Sequence, residues 1–395
     1  MPYYEPTRTP GRHFLQIPGP TNTPDRILRA MDNPTMDHRG PDFGHLGAQI
    51  LANLKKIFQT DSHVIIYPAS GTGAWEAALA NTHSPDDTVL MCRTGWFATL
   101  WNDMAERLAL KPIFIDTDWR RGADVDAIQE ALSKDTAHTI RSVCVVHNET
   151  STGCTSRIDE IRAAIDATRH PALLLVDTIS SLASIDYRHD EWGVDVTIAG
   201  SQKGLMLPPG LAFNAISAKA LEATKSAKLP RSYWDWHAML VANATGYFPF
   251  TPATNLLYGL DTALTMLLEE GLPNVFARHT RHAEATRRAV AAWGLETQCA
   301  DPRHFSSALT AVRLPEHHSA DHLRATILAR YNMSLGNGLG PLKDQVFRIG
   351  HLGDLNDLQL LGTIAGIEMG LANTNIPHHK GGTQAAMDYL SVNSN

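Results

Sequence analysis

Lys203 is the only charged residue in the segment TIAGSQKGLMLPPG, which runs from Thr197 to Gly210. The apolar stretch 195–201 before it predicts a buried strand, so the amine is expected at a strand end. A lysine desolvated beside another cation loses its proton more easily, and the neutral amine can attack a carbonyl to form a Schiff base. Lys203 is therefore either a surface lysine, the common case, or an amine kept for chemistry.

Asp177 ends the apolar stretch PALLLVD at 171–177. Ligands of parallel sheets collect at the carboxyl ends of the strands. A carboxylate buried there needs a cation or a strong donor, and a protonated heterocyclic nitrogen would be a suitable partner. The alternative is a cap or turn residue.

The segment PASGTGAWEAALAN at 68–81 combines a strand end, a glycine-containing loop and a predicted helix. Free N–H groups and the helix dipole favour an anion at such a place, and Ser70 and Thr72 could add hydroxyl donors. The pattern is neither a Walker A loop nor a GxGxxG fingerprint, so it does not imply a dinucleotide. An ordinary strand-to-helix connection is the alternative.

Arg348 lies within the apolar segment VFRIGH. Arginine keeps its charge, so burial demands a partner, and its planar fork matches a carboxylate in bidentate fashion. The partner is either a substrate α-carboxylate or a structural ion pair. An anion loop, a strand-end carboxylate, a reactive lysine and this arginine together meet the needs of pyridoxal phosphate and an amino-acid substrate.

These residues need a scaffold, and the first two thirds of the chain predict an α/β fold. Helical patterns at 74–82, 99–110, 124–133 and 157–168 separate apolar runs. Such an alternation indicates a mostly parallel sheet with helices on both faces. The predicted strands are 63–69, 87–92, 111–116, 141–148, 171–177 and 195–201.

The pattern changes after about residue 255 and predicts a smaller C-terminal α+β domain. Its expected elements are helices at 255–271, 275–294 and 319–332 and strands at 306–315 and 345–351. The predicted organisation is an N-terminal arm (1–30), a large domain (31–255) and a small domain (256–395). The helix near 255–290 could belong to either domain.

Composition argues against several kinds of partner and site. The 395 residues carry a net charge of −7 without a long run of one sign, which argues against a nucleic-acid partner. No apolar stretch approaches ~18 residues, so no membrane span is predicted, and the N-terminus lacks the apolar core of a signal peptide. Four scattered cysteines without a CxxC pattern indicate neither a disulfide framework nor a metal site. We expect a reduced, cytoplasmic protein.

Beyond these features, the chain resembles the class V aminotransferases of the large pyridoxal-phosphate fold, within them the alanine–glyoxylate and serine–glyoxylate group. The resemblance runs from PGPTNTPDRILRAM (18–31) to VFRIGHLGDLN (346–356). The block DEWGVDVTIAGSQKG looks closest to the serine–glyoxylate branch, which includes enzymes that use aspartate as donor. The most specific motifs are SGTGAWEAAL, HNETSTG, LLLVDTISSL, GSQKGLMLPPG and FPFTPAT.

The resemblance implies a seven-stranded type of sheet in the large domain and a role for each matching residue. Lys203 would carry the Schiff base, and Asp177 would pair with the ring nitrogen of the cofactor. Arg348 would bind the substrate carboxylate, and Gly19 would line the substrate entrance. Thr251 would reach the phosphate of a neighbouring subunit, which implies a homodimer with shared active sites. The remaining cofactor contacts would be Ser70, Gly71, Thr72, Trp96 (stacked on the ring), Thr150 (near O3′), Ile179 and Gln202.

Several positions leave the amino donor open between serine, aspartate and alanine, with serine or aspartate favoured by the branch resemblance. Thr72, Thr178 and Phe250 differ from residues common in relatives. Aspartate would need a second cation for its side chain, and the candidates are Arg39, Arg231 and Arg281.

Two other functional classes remain as alternatives to an aminotransferase. A lyase of the same fold, such as a desulfurase, would need a reactive cysteine, and Cys299 is the only one in the C-terminal half. A non-catalytic relative is the other, and the residues Lys203, Asp177 and Arg348 argue against it.

Overall fold

The structure, a computed structural model, describes residues 11–392. Within that range the strands are β1 (Phe14–Gln16), β2 (His63–Tyr67), β3 (Thr88–Arg93), β4 (Lys111–Asp116), β5 (Ile140–Val146), β6 (Asn148–Glu149), β7 (Cys154–Thr155), β8 (Leu173–Asp177), β9 (Val196–Gly200), β10 (Ala212–Ile216), β11 (Glu296–Thr297), β12 (Leu309–Arg313), β13 (Met333–Asn337) and β14 (Val346–Gly350). The helices of the same range are α1 (Asp25–Met31), α2 (Pro41–Phe58), α3 (Gly71–Thr82), α4 (Trp96–Arg107), α5 (Val125–Lys134), α6 (Ile158–Ala167), α7 (Ala218–Ala223), α8 (Trp236–Asn243), α9 (Thr254–Glu270), α10 (Leu272–Ala292), α11 (Ala320–Tyr331), α12 (Asp357–Asn373) and α13 (Gly382–Val392).

A seven-stranded sheet forms the centre of the large α/β unit, in the order β2-β10-β9-β8-β5-β3-β4. Strand β10 runs antiparallel to both of its neighbours, and the other pairs are parallel. The parallel strands therefore present their carboxyl ends at one edge. All six predicted strands are present, and the predicted mostly parallel sheet is confirmed.

Both faces of this sheet are covered, because consecutive strand residues alternate between two cores. In β8, Leu174 and Val176 pack with one cluster that includes residues of α2, α5, α6 and α9. Leu173 and Leu175 pack with the other cluster, which includes residues of α3, α4, α7 and α8. Such strands are apolar throughout because neither face meets water.

A second sheet has the order β1-β13-β14-β12-β11 and a core of its own with α10 to α13. Strands β12, β13 and β14 pair antiparallel, whereas β1 pairs parallel with β13. The segment near residue 15 thus lies beside residues about 320 positions later. The predicted domain boundaries stay a prediction.

No helix in residues 11–392 is both long and apolar enough to cross a membrane.

Candidate active site

A cavity of about 110 Å³ opens at the carboxyl edge of the large sheet. Eight residues singled out from the sequence line it: Ser70, Gly71, Thr72, Thr150, Asp177, Ile179, Gln202 and Lys203. Four further residues complete the lining: Trp75, Phe97, Val146 and Asn148. Segments far apart in the chain therefore meet where the strand ends converge.

Lys203 is buried, with 9% of its surface exposed. Its Nζ donates a hydrogen bond of 2.5 Å to the carbonyl oxygen of Pro18. Burial and, to a smaller extent, the nearby Arg348 guanidinium lower the pKa of the Lys203 amine to about 8, whereas Asp177 opposes the shift. Far more of the amine is therefore neutral near physiological pH than in an ordinary lysine, and the neutral form is the one that a nucleophile requires.

Gly19 lies directly against the Lys203 side chain. A Cβ added at Gly19 would sit 2.4 to 2.7 Å from the last two carbons and the nitrogen of the lysine, and its φ of +96° also favours glycine. Two hydrogen bonds fix the loop here: the Thr21 amide donates to the Gln202 carbonyl, and the Thr21 hydroxyl donates to the Lys203 carbonyl. The loop therefore fixes the side of the cavity next to the amine.

Asp177 is 4% exposed and accepts one hydrogen bond on each carboxylate oxygen. The Ile179 amide donates to Oδ1 at 2.7 Å, and the Trp75 indole donates to Oδ2 at 3.0 Å. Burial raises the pKa of Asp177 to about 7, the buried Glu149 contributes to the increase, and both donors and Lys203 oppose it. A cation in the cavity would favour the ionised form.

The start of α3 is suited to an anion. Its N-cap residue Ser70 makes no capping hydrogen bond through its side chain, so the first amides of the helix are available. A Cβ at Gly71 would lie 2.3 Å from Ile179 Cδ1, so glycine lets the Ile179 side chain pack against the start of the helix. The buried Oε1 of Gln202 has no hydrogen-bond partner. The free amides and the Ser70 hydroxyl fit a phosphate, whereas Gln202 can donate to an anion only through its Nε2 amide group.

Arg348 lies near the cavity and is 6% exposed. Its Nε donates to the Asn337 carbonyl at 2.7 Å, and its Nη1 donates to the Thr150 carbonyl at 2.8 Å. Among the described residues no carboxylate lies within 4.0 Å of the guanidinium, and Nη2 makes no hydrogen bond there. Burial lowers the pKa of Arg348 to about 10, and Glu149 opposes the shift. A buried arginine bonded only to carbonyls can still take a carboxylate.

Trp96 does not line the cavity. Its ring packs against Gly340, where an added Cβ would meet it at 2.5 Å. The next residue, Phe97, lines the cavity, and its amide donates to the carboxylate of Glu149. Of the two aromatic residues in the lining, Trp75 donates to Asp177, which leaves Phe97, rather than the predicted Trp96, for a planar ligand.

Thr251 is exposed and does not line the cavity of its own chain. It lies in an apolar groove with the neighbouring residues 248–253. The rings of Tyr233 and Phe250 stack in this groove with centroids 4.5 Å apart.

The four cysteines are buried free thiols. The Cys299 thiol donates to the carbonyls of Asp301 and His304 and lies outside the cavity lining. Nothing in its position supports a sulfur-transfer role. No group of three or more potential metal ligands occurs within residues 11–392.

Trp75 and Asn148 were not anticipated from the sequence. The Oδ1 atom of Asn148 is buried without a partner. Trp75 follows Gly71 by four positions, and this spacing places both residues on one face of a helix. That periodicity was the signal available for Trp75.

Comparisons with known proteins agree with this geometry. Residues 13–341 match the family model described as Aminotransferase class-V. The chain is 50% identical over 394 residues to the serine–glyoxylate aminotransferase of Methylorubrum extorquens, with 98% of each chain covered. It is 45% identical over 375 residues to the L-aspartate–glyoxylate aminotransferase of Paracoccus denitrificans, which covers 94% of this chain and 95% of that one. Among solved structures, the pyridoxamine–pyruvate aminotransferase of Mesorhizobium loti superposes with a TM-score of 0.92 at 27% identity, covering 99% of this chain and 100% of that chain.

Proposed function

The chain belongs to the class V aminotransferases, and we propose that it transfers the amino group of L-serine or L-aspartate to glyoxylate, forming glycine and a 2-oxo acid. One observation carries the proposal: a buried lysine, a buried carboxylate and an open helix N-terminus share one cavity. The names of the relatives from Methylorubrum extorquens and Paracoccus denitrificans suggest the two donors and the acceptor.

Pyridoxal phosphate supplies an aldehyde that takes up the amino group and a ring that accepts electrons. Asp177 would pair with the ring nitrogen and keep it protonated. The first amides of α3 and the side chains of Ser70 and Gln202 would bind the phosphate. Phe97 would pack on the ring, and Thr150 would bind its hydroxyl group. Each protein group is thus assigned to the part of the cofactor that its charge and hydrogen-bonding capacity complement.

Lys203 carries out two tasks in this proposal. Its amine would hold the cofactor at its aldehyde in the resting enzyme. Once freed by the incoming donor, the neutral amine would take the proton from the substrate Cα as a general base. A pKa of about 8 suits both tasks, because the amine must be unprotonated each time.

Arg348 would orient the substrate by binding its α-carboxylate. The guanidinium is held by the carbonyls of Asn337 and Thr150, so its free edge has a fixed direction. Arg348→Gln should raise KM for the donor and the acceptor alike, because both substrates carry this carboxylate. A change confined to kcat would contradict the role.

The active site would be completed by a second copy of the chain. Thr251 is exposed beside the stacked, partly exposed rings of Tyr233 and Phe250, a surface that suits an interface. A homodimer with Thr251 near the phosphate of the partner subunit is the arrangement that the family resemblance implies. Thr251→Ala should weaken cofactor binding only if the site is shared.

Of the three arginines considered for the side chain of aspartate, only Arg39 is available. Arg231 donates to backbone carbonyls, including that of Thr224, and Arg281 pairs with Asp357. Arg39 is exposed and lines a groove with Phe250, on the proposed interface. We therefore propose Arg39 as the group that would bind an aspartate side chain in the partner's site.

The test is a panel of L-serine, L-aspartate and L-alanine with glyoxylate, scored by kcat/KM. Arg39→Gln should lower kcat/KM for aspartate about 100-fold, the loss of a charged pair worth about 3 kcal/mol, and leave serine nearly unchanged. Arg29→Gln, an exposed residue of α1, is the control for loss of one charge. Failure of both L-serine and L-aspartate as donors to glyoxylate would refute the proposed function.

A further inference from the structure

Asp177 has one side-chain donor within residues 11–392, and it is Trp75. The indole Nε1 lies 3.0 Å from Oδ2, and the other donor, the amide of Ile179, bonds to Oδ1. A carboxylate has about four accepting directions, so these two bonds leave one on each oxygen for a ligand in the cavity.

Trp75 is itself held firmly. It is 2% exposed and its ring stacks on Trp101, with centroids 5.8 Å apart and planes 12° from parallel. It also lies one helical turn after Gly71 at the start of α3. One helix thus carries both the proposed phosphate site and the donor that contacts the carboxylate.

We propose that Trp75 is a positioning residue that fixes the Asp177 carboxylate, in its ionised form, for the ring nitrogen of the cofactor. The inference rests on the proposed function and adds a residue to its machinery. A donated hydrogen bond stabilises the carboxylate over the acid, and only the carboxylate can hold a protonated ring nitrogen. The bond also restricts rotation of the carboxylate, so the free accepting directions point into the cavity.

The chain provides a matched control. Trp101 is the other member of the ring stack, is fully buried, and has an indole nitrogen without a hydrogen-bond partner. Trp101→Phe and Trp75→Phe therefore remove similar rings from the same core. Only Trp75→Phe removes a hydrogen bond to Asp177.

The experiment compares dissociation constants for pyridoxal phosphate and for an analogue with carbon in place of the ring nitrogen. The wild-type protein should prefer pyridoxal phosphate, because the analogue offers Asp177 no partner. Trp75→Phe should reduce this preference about tenfold, whereas Trp101→Phe should change it less than about twofold. A purely structural role would weaken both ligands equally and leave the ratio unchanged.

The pH dependence of pyridoxal-phosphate binding gives a second readout. Affinity should fall as the pH decreases through the titration of Asp177, and the midpoint should move up by about one unit in Trp75→Phe. An unchanged preference and an unchanged midpoint in Trp75→Phe would overturn the inference while leaving the proposed function intact. A wild-type protein that binds neither ligand would instead refute the proposed function, and the inference with it.

If Trp75→Phe does not fold, the contact can be tested by NMR with the wild-type protein and Asp177→Asn alone. In protein labelled with ¹⁵N at the tryptophan indoles, the Trp75 N–H resonance should shift with pH as Asp177 titrates, and the Trp234 resonance should follow Glu76, to which that indole donates. Asp177→Asn should abolish the titration of the Trp75 resonance. If no indole resonance shows a titration that disappears in Asp177→Asn, the contact is contradicted.

Discussion

Asp177→Asn should stabilise the cofactor-free protein at pH 8 while it removes most cofactor affinity. The substitution keeps the shape of the side chain and deletes its charge. Asp177 is 4% exposed, and among residues 11–392 its hydrogen-bond donors are Trp75 and the Ile179 amide. Without cofactor, the buried charge is only partly compensated.

The size of the effect follows from the pKa of Asp177, which burial raises from 3.8 to about 7. This difference is about three units, and at ~1.4 kcal/mol per unit it amounts to about 4 kcal/mol. Because the folded-state pKa is raised, this contribution to stability is fully present below pH 3.8 and is lost as the pH rises through 7. The ionised carboxylate therefore destabilises the cofactor-free fold above pH 7.

Asparagine avoids this cost but brings a smaller one. Its amide offers one oxygen to two donors, so either Trp75 or Ile179 faces an NH₂ group, at a cost of about 1–3 kcal/mol. The net gain at pH 8 is about 1–3 kcal/mol. The hydrogen-bond cost of asparagine does not vary with pH. A pH-dependent difference in the free energy of unfolding between the variant and the wild type therefore reports the charge of Asp177.

The assay is denaturant unfolding of both cofactor-free proteins at equal concentration, at pH 5 and pH 8. The free energy of unfolding of the variant relative to the wild type should increase by about 2–3 kcal/mol between these pH values, the part of the linkage that falls in this interval. A difference that is the same at pH 5 and pH 8 would refute the reasoning, because it would mean that Asp177 has an ordinary pKa in the folded protein.

Three further predictions concern the same cavity. Gly19→Ala should reduce covalent capture of the cofactor at least tenfold, because the added methyl group would lie within 2.7 Å of the Lys203 side chain; unchanged capture would contradict the close approach. The rate of capture in the wild type should rise with pH, with a midpoint near 8, because the neutral amine of Lys203 reacts; a midpoint near 10.5 would indicate an unperturbed lysine. Phe97→Ala should weaken cofactor affinity about tenfold through lost ring contact, as measured by equilibrium titration, whereas Trp96→Ala should leave it within about twofold; the reverse order would restore Trp96 as the stacking residue.

The sequence was most informative where local pattern and sheet geometry agree. Lys203 and Asp177 follow apolar runs, and the carboxyl ends of parallel strands share an edge, so their proximity was predictable. Trp96 illustrates the limit, because it and Phe97 stand at the start of α4. One step along a helix turns the side chain by about 100°, so an uncertainty of one residue there changes which ring reaches the cavity.

Long-range pairing was the other feature that local pattern could not supply. Strand β1 has three residues and finds its partner β13 about 320 positions later, and neither strand was anticipated. Strand β13 includes Gly336, which pairs with Arg348. An added Cβ at Gly336 would lie 3.0 Å from the arginine Cβ, so this glycine reflects close packing.

The central claim is that Lys203, buried at the strand end, is the residue that bonds to the cofactor. The most direct test is to saturate the protein with pyridoxal phosphate, reduce it with borohydride, digest it and locate the added mass by mass spectrometry. The account predicts the reduced cofactor on Lys203 and on no other lysine, with none trapped in Lys203→Ala. Cofactor trapped on a different lysine, or bound tightly with none trapped on Lys203, would contradict it.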